Sequence, residues 1–516
     1  MLVLSIMLSA CAQEKSDSDG KKDGKSDKPQ DLVFAVLSDA VGIDAHGTND
    51  VPSSNIGYNI YETLVYHDEN NEIQPLLAES WERVDDLTWE FKLREGVKFH
   101  DGSDFNAEVV KANLERIQDP DIASQRAFLF EMINDIKVID DYTIQLKTEY
   151  SFSPLLSHLS HSGGGMMSLE SIKKDYEAME NGDNPGTYIN KHPTGTGYFK
   201  FEEWVPGQHI KLVRNDDYWG EKAKLDSVTF KVVGEDATRI AELQSKNAHI
   251  TFPVSPSDVD RVDGLDNASI HRQPSTSIDY VGFNAEKEPF NDVKVRQAIS
   301  MAIDKEGIIS GIWEDTGIPA TGPIAPDVFG YDDSVKPLPY DPEKAKELLA
   351  EAGYADGFKT TIWTNDNAQR VDTAVYVQAK LKEIGIEVKV EELEWGAFLE
   401  KTAKGEHDMF ILGWSTPTLD ADYATYPLFH SKNVGDPGNR TFLKDDKLDK
   451  ILTDAREEAD EKKRKALYRD AQEKLVELAP MVYIHHQEYL LGVDDSVKNF
   501  WIDSGGIYRL QDVSIE

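Results

Sequence analysis

KTTIWTNDNAQRVDTAVYVQAKLKEIGIEVKVEE, residues 359–392, changes its hydrophobic period twice within one short stretch. Thr360–Trp363, two β-branched threonines followed by Ile and Trp, reads as a strand. Residues 368–384 then place Val371, Val375 and Leu381 on one side of a helix, and Gly385 stops it. Ile386, Val388 and Val390 alternate as a second strand. After a short helix over 395–403, Met409-Phe410-Ile411-Leu412 is apolar throughout, as a parallel strand covered on both faces should be. Strands alternating with helices predict an α/β domain with a mostly parallel sheet.

Outward from this unit the signals continue. Asp341-Pro342-Glu343 is an N-cap followed by proline at the first helical position. Ala345, Leu348, Leu349 and Ala352 then recur at helical spacing up to Gly353. Val295, Ile299 and Ile303 mark another helix, capped at Asn291 or Asp292. Near the start, DLVFAVLSDA (31–40) reads as a strand and 106–117 as a helix. Residues 81–100 predict a hairpin that closes at Arg94-Glu95-Gly96.

Ligands of such sheets bind at the carboxyl ends of the strands. Two of those ends are Trp363-Thr364-Asn365 and Gly413-Trp414-Ser415. Each offers a flat apolar wall with a few polar groups beside it, which is a binding-site pattern. Each tryptophan could equally cover the sheet edge.

The chain has 516 residues, with 55 Lys+Arg against 94 Asp+Glu and a net charge of −39. Such a balance provides no long-range attraction for nucleic acid or an anionic membrane surface. The one cysteine excludes a disulfide framework and any multi-thiolate zinc site. It is Cys11, at the end of MLVLSIMLSAC, an apolar run too short to span a bilayer. Leu8-Ser9-Ala10-Cys11 resembles a bacterial lipobox, which makes Cys11 a lipid attachment point. No Lys or Arg precedes Lys15, so the basic start of a signal peptide is expected upstream of Met1. Residues 12–30 are a polar tether whose five lysines and five acids cancel, so the acidity belongs to residues 31–516.

Catalytic signatures are missing. No G-x-S-x-G elbow, H-E-x-x-H, P-loop or dinucleotide fingerprint occurs at a strand-to-helix turn. Gly195-Thr196-Gly197 and Gly163-Gly164-Gly165 read as tight turns. His158 with His161, and His485 with His486, read as structural histidines, with a haem or metal-chelate role as the alternative. Asp420 and Asp422 read as capping or loop acids, or as ligand contacts.

ETLV (62–65), LAESWE (77–82), LREGVKFHDG (93–102), PTGTGYF (193–199), VRQAISMAIDK (295–305) and YDPEKAKELLAEAGY (340–354) resemble, in order, blocks of the bacterial extracellular solute-binding proteins of family 5. These are peptide- and nickel-type receptors of ABC importers. The resemblance covers nearly all of 31–516. It implies an α/β, two-lobed, periplasmic-binding-protein-like fold (class II, Venus-flytrap) with an extra subdomain inserted in lobe I. Lobe I would comprise 31–55, 196–270 and 486–516, the insert 56–195 and lobe II 271–485. It implies a monomer that closes on a ligand and delivers it to ABC permease subunits, with no cofactor and no nucleic-acid partner. Membrane contact would be through the lipid anchor alone, on the extracellular face of the cytoplasmic membrane (the periplasmic side in a Gram-negative cell).

Dipeptide- and oligopeptide-binding members place an aspartate three residues after the strand-end tryptophan, to hold the peptide amine. Here that position is Pro417. GWSTPTLDADYATYPLF (413–429) and SHSGGGMMS (160–168) are instead similar to the glutathione-binding subgroup. A γ-linked tripeptide with two carboxylates and one amine asks for arginines and an acid. The resemblance suggests Arg370 and Arg440 for the carboxylates and Asp422 or Asp420 for the amine. Trp363, Asn365, Trp414 and Ser415 would contribute from lobe II, and Asn59, Thr63, Ser162, Gly163 and Gly164 from lobe I. Two other readings remain. One is a dipeptide, oligopeptide, haem or nickel-chelate receptor of the same family, with His161, His485 or His486 as the metal ligand. The other is a secreted peptidase on this fold.

Overall fold

The structure, a computed structural model, describes residues 29–365, 367–435 and 438–516. Cys11 and the tether up to residue 28 lie outside the described residues. No helix among the described residues is long and apolar enough to cross a membrane.

The chain opens with β1 (Asp31–Val36) and α1 (Val51–Ile60), whose N-cap Asp50 accepts the Ser53 N–H and whose second residue is Pro52. A separate four-stranded antiparallel sheet follows, from β2 (Ala78–Arg83), β3 (Thr88–Leu93), β4 (Ile133–Asp140) and β5 (Thr143–Thr148), in the order β2-β3-β5-β4. Helix α2 (Ala107–Gln118), capped by Asn106, packs Val110 and Leu114 against Phe91, Ile144 and Leu146 of this sheet. The hairpin here corrects the sequence expectation. Its turn is at 84–87, where Asp85 accepts the Leu87 N–H at 2.8 Å and Val84 donates to Thr88 O. An aspartate that turns the chain on its own side chain outcompetes Arg94-Glu95-Gly96, which leads out of β3 instead.

Next come β6 (Phe199–Val205), β7 (His209–Arg214), β8 (Ser227–Val232), β9 (Ile250–Phe252) and the sixteen-residue β10 (Ala268–Phe283). Lobe II adds α3 (Val293–Ala302, capped by Asp292) and α4 (Pro342–Glu351, capped by Asp341), as the sequence predicts. It continues through β11 (Lys359–Thr364), α5 (Ala368–Glu383), β12 (Glu387–Glu392), α6 (Trp395–Ala403) and β13 (Met409–Trp414). Helices α7 (Ala421–Phe429), α8 (Asp446–Glu457) and α9 (Glu461–Leu478) lead to β14 (Met481–Asp494).

One sheet runs through both lobes in the order β12-β11-β13-β10-β14-β9-β1-β8-β7-β6. It is mixed rather than mostly parallel. β12-β11-β13 and β9-β1-β8 are parallel, as helical crossovers require, while the β6–β7 hairpin and the two long strands add antiparallel pairings. β10 and β14 belong to both lobes. Residues 268–274 pair with 488–494, and 278–282 pair with 481–486, with register shifts between Pro274 and Ile278 and between Asp279 and Tyr280.

Cores form on each side. Leu32, Phe34, Phe230 and Tyr508 pack with Ile56 and Ile60 of α1, and Val281, Ile299, Leu349 and Ile362 pack in lobe II. Helix α5 turns a different face inward from the expected one. Thr373, Ala374, Val377 and Leu381 are buried, whereas Val375 is 50% exposed. The buried stripe runs through Thr373, Ala374, Val377 and Leu381, so Leu381 faces inward as expected while Val375 faces out.

Candidate ligand-binding cleft

The carboxyl ends of β11 and β13 in lobe II face those of β1, β8 and β9 in lobe I. Gln369 Nε2, in the first turn of α5, lies 3.5 Å from Ser255 Oγ just beyond β9. The cleft is therefore bounded by the first turn of α5 on one side and the segment after β9 on the other.

Arg370 is set by the cap of α5, since its N–H donates to Asn367 Oδ1 at 3.0 Å. Its guanidinium reaches back to the strand ends, with Nη1 to Asn365 Oδ1 and Nη2 to Asp279 Oδ1, both at 3.3 Å. Charge-assisted contacts in a tight fork are nearer 2.8 Å. Arg370 is thus steered but loosely held, with its side chain 17% exposed. Asp279, buried on β10, also accepts from Gln487 on β14, so both long strands converge on this pair.

Trp414 stands at the next strand end. Its Nε1–H donates to Tyr423 O at 3.0 Å and the two rings lie 5.4 Å apart. Tyr423 in turn stacks on His161 at 5.6 Å and meets Phe128 at 5.7 Å, so this aromatic column joins lobe II to the 56–195 region. Ser415 Oγ lies 3.5 Å from Gly505 O.

Sequence reasoning missed the group behind His161. Arg126 is 1% exposed and donates to Ser54 Oγ at 2.9 Å, to Ser162 Oγ and to Thr48 O, and its Nη1 lies 3.4 Å from His161 Nδ1. Among the described residues it makes no ion pair. Burial pulls its pKa down, although Tyr423 and Tyr58 oppose the shift. Burial, reinforced by Arg126, also holds His161 well below the ordinary histidine range. Gly163 makes this packing possible, because a β-carbon there would stand 2.7 Å from Arg126 Cδ. The glycines expected as turns have the same purpose elsewhere. A β-carbon on Gly195 would meet Ile60 O at 2.0 Å, and one on Gly164 would meet Leu159 O at 3.0 Å.

Several expected site residues are committed to their own chain. Asp420 caps α7 and grips Arg464 through both oxygens, at 2.6 and 2.7 Å. Asp422 lies 2.9 Å from Arg456 Nε and 3.2 Å from His158 Nε2. Burial alone would raise its pKa, but Arg456 and then His158 hold it below the usual carboxylate range. Both carboxylates already have cations, which corrects the expectation that either lies open to an amine. Arg440 is buried against α6, with Nε donating to Thr402 Oγ1 at 3.1 Å. Trp363 packs in a core cluster with Phe398, beneath Lys401 and at the edge of His407, so it covers the sheet. Asn59 donates to Asn55 O and accepts from Tyr198, and Thr63 Oγ1 donates to Val65 O. His485 packs on Trp313 at 4.4 Å, next to His486 on β14. Among the described residues, no three His, Cys, Asp or Glu side chains converge as a metal requires.

The model of the bacterial extracellular solute-binding proteins, family 5, matches residues 72–436. The glutathione-binding protein GsiB of Pectobacterium atrosepticum is 31% identical over 495 residues, 94% of each chain. GsiB of Escherichia coli O157:H7 is 32% identical over 496 residues, covering 94% of this chain and 95% of that one. Among solved structures, DppA of Helicobacter pylori in complex with the peptide STSA superposes with a TM-score of 0.85 at 33% identity, over 94% of this chain and 98% of that one. A dipeptide-binding protein of Pseudoalteromonas sp. SM9913 in complex with Met-Leu gives 0.86 at 26% identity, over 94% and 100%. With its two-lobed fold, the chain belongs to the bacterial extracellular solute-binding proteins of family 5, substrate-binding receptors of ABC transporters and not enzymes.

Proposed function

We propose that this protein is a lipid-anchored receptor that captures glutathione or a similar short peptide between its lobes and passes it to an ABC permease. Cys11 carries the lipid and residues 12–30 tether the folded body to the outer face of the cytoplasmic membrane. The observation that carries the ligand reading is Arg370, a cleft guanidinium held by two long contacts and half free to fork onto a carboxylate. Relatives named as glutathione-binding over more than nine-tenths of their length support the same reading.

In this reading Arg370 receives one carboxylate, against the Trp414 wall. Arg126, a buried cation that bonds serines and a carbonyl, is the candidate for the second. Asp279, whose contact with Arg370 is 3.3 Å against 2.6 and 2.9 Å for the pairs of Asp420 and Asp422, takes the amine in their place. A ligand drives closure only as far as it binds the closed form better than the open one.

Calorimetry with glutathione and with dialanine tests the ligand, with native mass spectrometry of the purified protein to identify anything retained. Heat with glutathione supports the reading. Heat with dialanine alone would remove glutathione and leave a peptide receptor. Detergent phase partitioning of the wild type and Cys11→Ala tests the anchor, which requires the variant to leave the detergent phase.

A further inference from the structure

Helix α8 of lobe II ends against the 56–195 region, far along the chain from Arg370. A helix leaves its last carbonyls without partners of its own. Here they are bonded from across a seam. The Ser153 N–H donates to Arg456 O at 3.0 Å and its Oγ to Glu458 O at 2.7 Å, while Ser151 Oγ donates to Glu457 O at 2.8 Å. Arg456 lays its guanidinium 4.9 Å from the centre of the Phe152 ring. His158 Nε2 meets Asp422 Oδ2 at 3.2 Å. At the outer margin Lys432 Nζ lies 3.0 Å from Glu131 Oε1, with the two side chains 60% and 39% exposed.

The two sides of the 56–195 region differ. Towards lobe I it is fused: Ile60, Met167, Ile172 and Ile189 lie in one core with Leu32, Phe34 and Phe230. Towards lobe II apolar packing is thin. Among the described residues, Tyr423 and Trp414 are what lobe II adds to the core around Phe91, Leu114 and Phe152. Contacts between parts of one chain permit relative motion unless they are large and apolar. The 56–195 region is therefore built to travel with lobe I and to part from lobe II.

Parting leaves no stranded charge. Asp422 and Arg456 both belong to lobe II and pair with each other at 2.9 Å, so each keeps its counter-charge. The serine hydroxyls, the carbonyls that end α8 and the Lys432–Glu131 pair can all pass to water.

We propose that this seam is a closure latch: Ser151, Ser153, His158 and Glu131 engage lobe II only when the lobes are closed, and they hold a share of the ligand-free molecules in that form. The proposal rests on the reading of a receptor that closes on its ligand, whichever ligand that is. A contact made only in the closed form raises the affinity for a ligand it never touches.

The test compares the wild type with Glu131→Lys, Lys432→Glu, their double swap and Ser153→Asp, by calorimetry with glutathione and by small-angle X-ray scattering of the ligand-free protein. Glu131 and Lys432 are exposed, so their reversal leaves folding intact. E131K and K432E each bring like charges together and should weaken glutathione binding about threefold, and the swap should restore it. S153D sets a carboxylate against the negative end of α8; it should weaken binding about tenfold and enlarge the radius of gyration. Wild-type affinity and radius in S153D, or single-variant losses that the swap does not recover, would overturn the latch and leave the receptor standing. If glutathione does not bind the wild type, the glutathione reading fails and scattering decides the latch alone. A larger radius in S153D then upholds it, and an unchanged radius overturns it.

Discussion

Gly413 and Arg370 fit together only because the glycine has no side chain. A β-carbon at 413 would stand 2.8 Å from Arg370 Nη2 and 3.0 Å from Asp279 Oδ1. The glycine of Gly-Trp-Ser therefore makes room for the cleft cation, as Gly163 does for Arg126.

Gly413→Ala should displace the guanidinium, whose far end is free to move, and leave the fold intact. Calorimetry should show a loss of about tenfold in ligand affinity, roughly 1.4 kcal/mol, with the melting temperature nearly unchanged. Full affinity in this variant would show that the position of Arg370 is irrelevant to binding.

Arg370→Ala removes a charged hydrogen-bonding group worth about 1.5–3 kcal/mol, so affinity should fall roughly 10- to 100-fold. Arg370→Lys should recover only part, since an ammonium keeps the charge without the fork. Wild-type affinity in the alanine variant would exclude Arg370 from the ligand.

Asp420→Ala leaves Arg464 buried without its carboxylate, in a pair whose side chains are nearly inaccessible. Breaking such a pair costs about 3–5 kcal/mol. The denaturant midpoint should drop accordingly, while ligand affinity per folded molecule stays the same. A selective loss of affinity at wild-type stability would instead return Asp420 to the ligand.

Acid should destabilise the protein well before its carboxylates are protonated. Burial lowers His67 to about 4, and His407 and His486 to about 3. From pH 6.5 downward the unfolded chain therefore binds protons that the folded chain refuses, and stability falls with pH. Glu62 acts in the opposite direction. Burial raises it to about 7, so its folded form holds a proton that the unfolded form releases near 4.5. One group against three leaves the histidines dominant, and guanidinium midpoints should decline from pH 7 to pH 5. A flat profile would refute this balance.

Elements written in local chemistry were legible in the sequence. Asp341-Pro342 and Asp292 cap their helices, and the alternation of 359–414 produces the lobe II strands and helices. Where position depended on distant packing, the sequence was silent or misleading. The inward face of α5 runs through Thr373, Ala374 and Val377, polar or small positions included, rather than through Val371 and Val375. Arg126 has nothing in its neighbourhood to distinguish it, because the groups it touches lie 35 to 78 residues away. Asp420 and Asp422 looked open only because Arg464 and Arg456 reach them from other helices.

The sheet that runs unbroken through both lobes ends on two outer strands, β12 and β6. Exposed strand edges are templates on which another chain can pair. β12 carries Glu387, Lys389, Glu391 and Glu392, and β6 carries Lys200, Glu202 and Glu203. Ionised side chains along both margins oppose the addition of a further strand. Charge at both margins thus guards against edge-to-edge polymerisation, a danger that grows with local concentration.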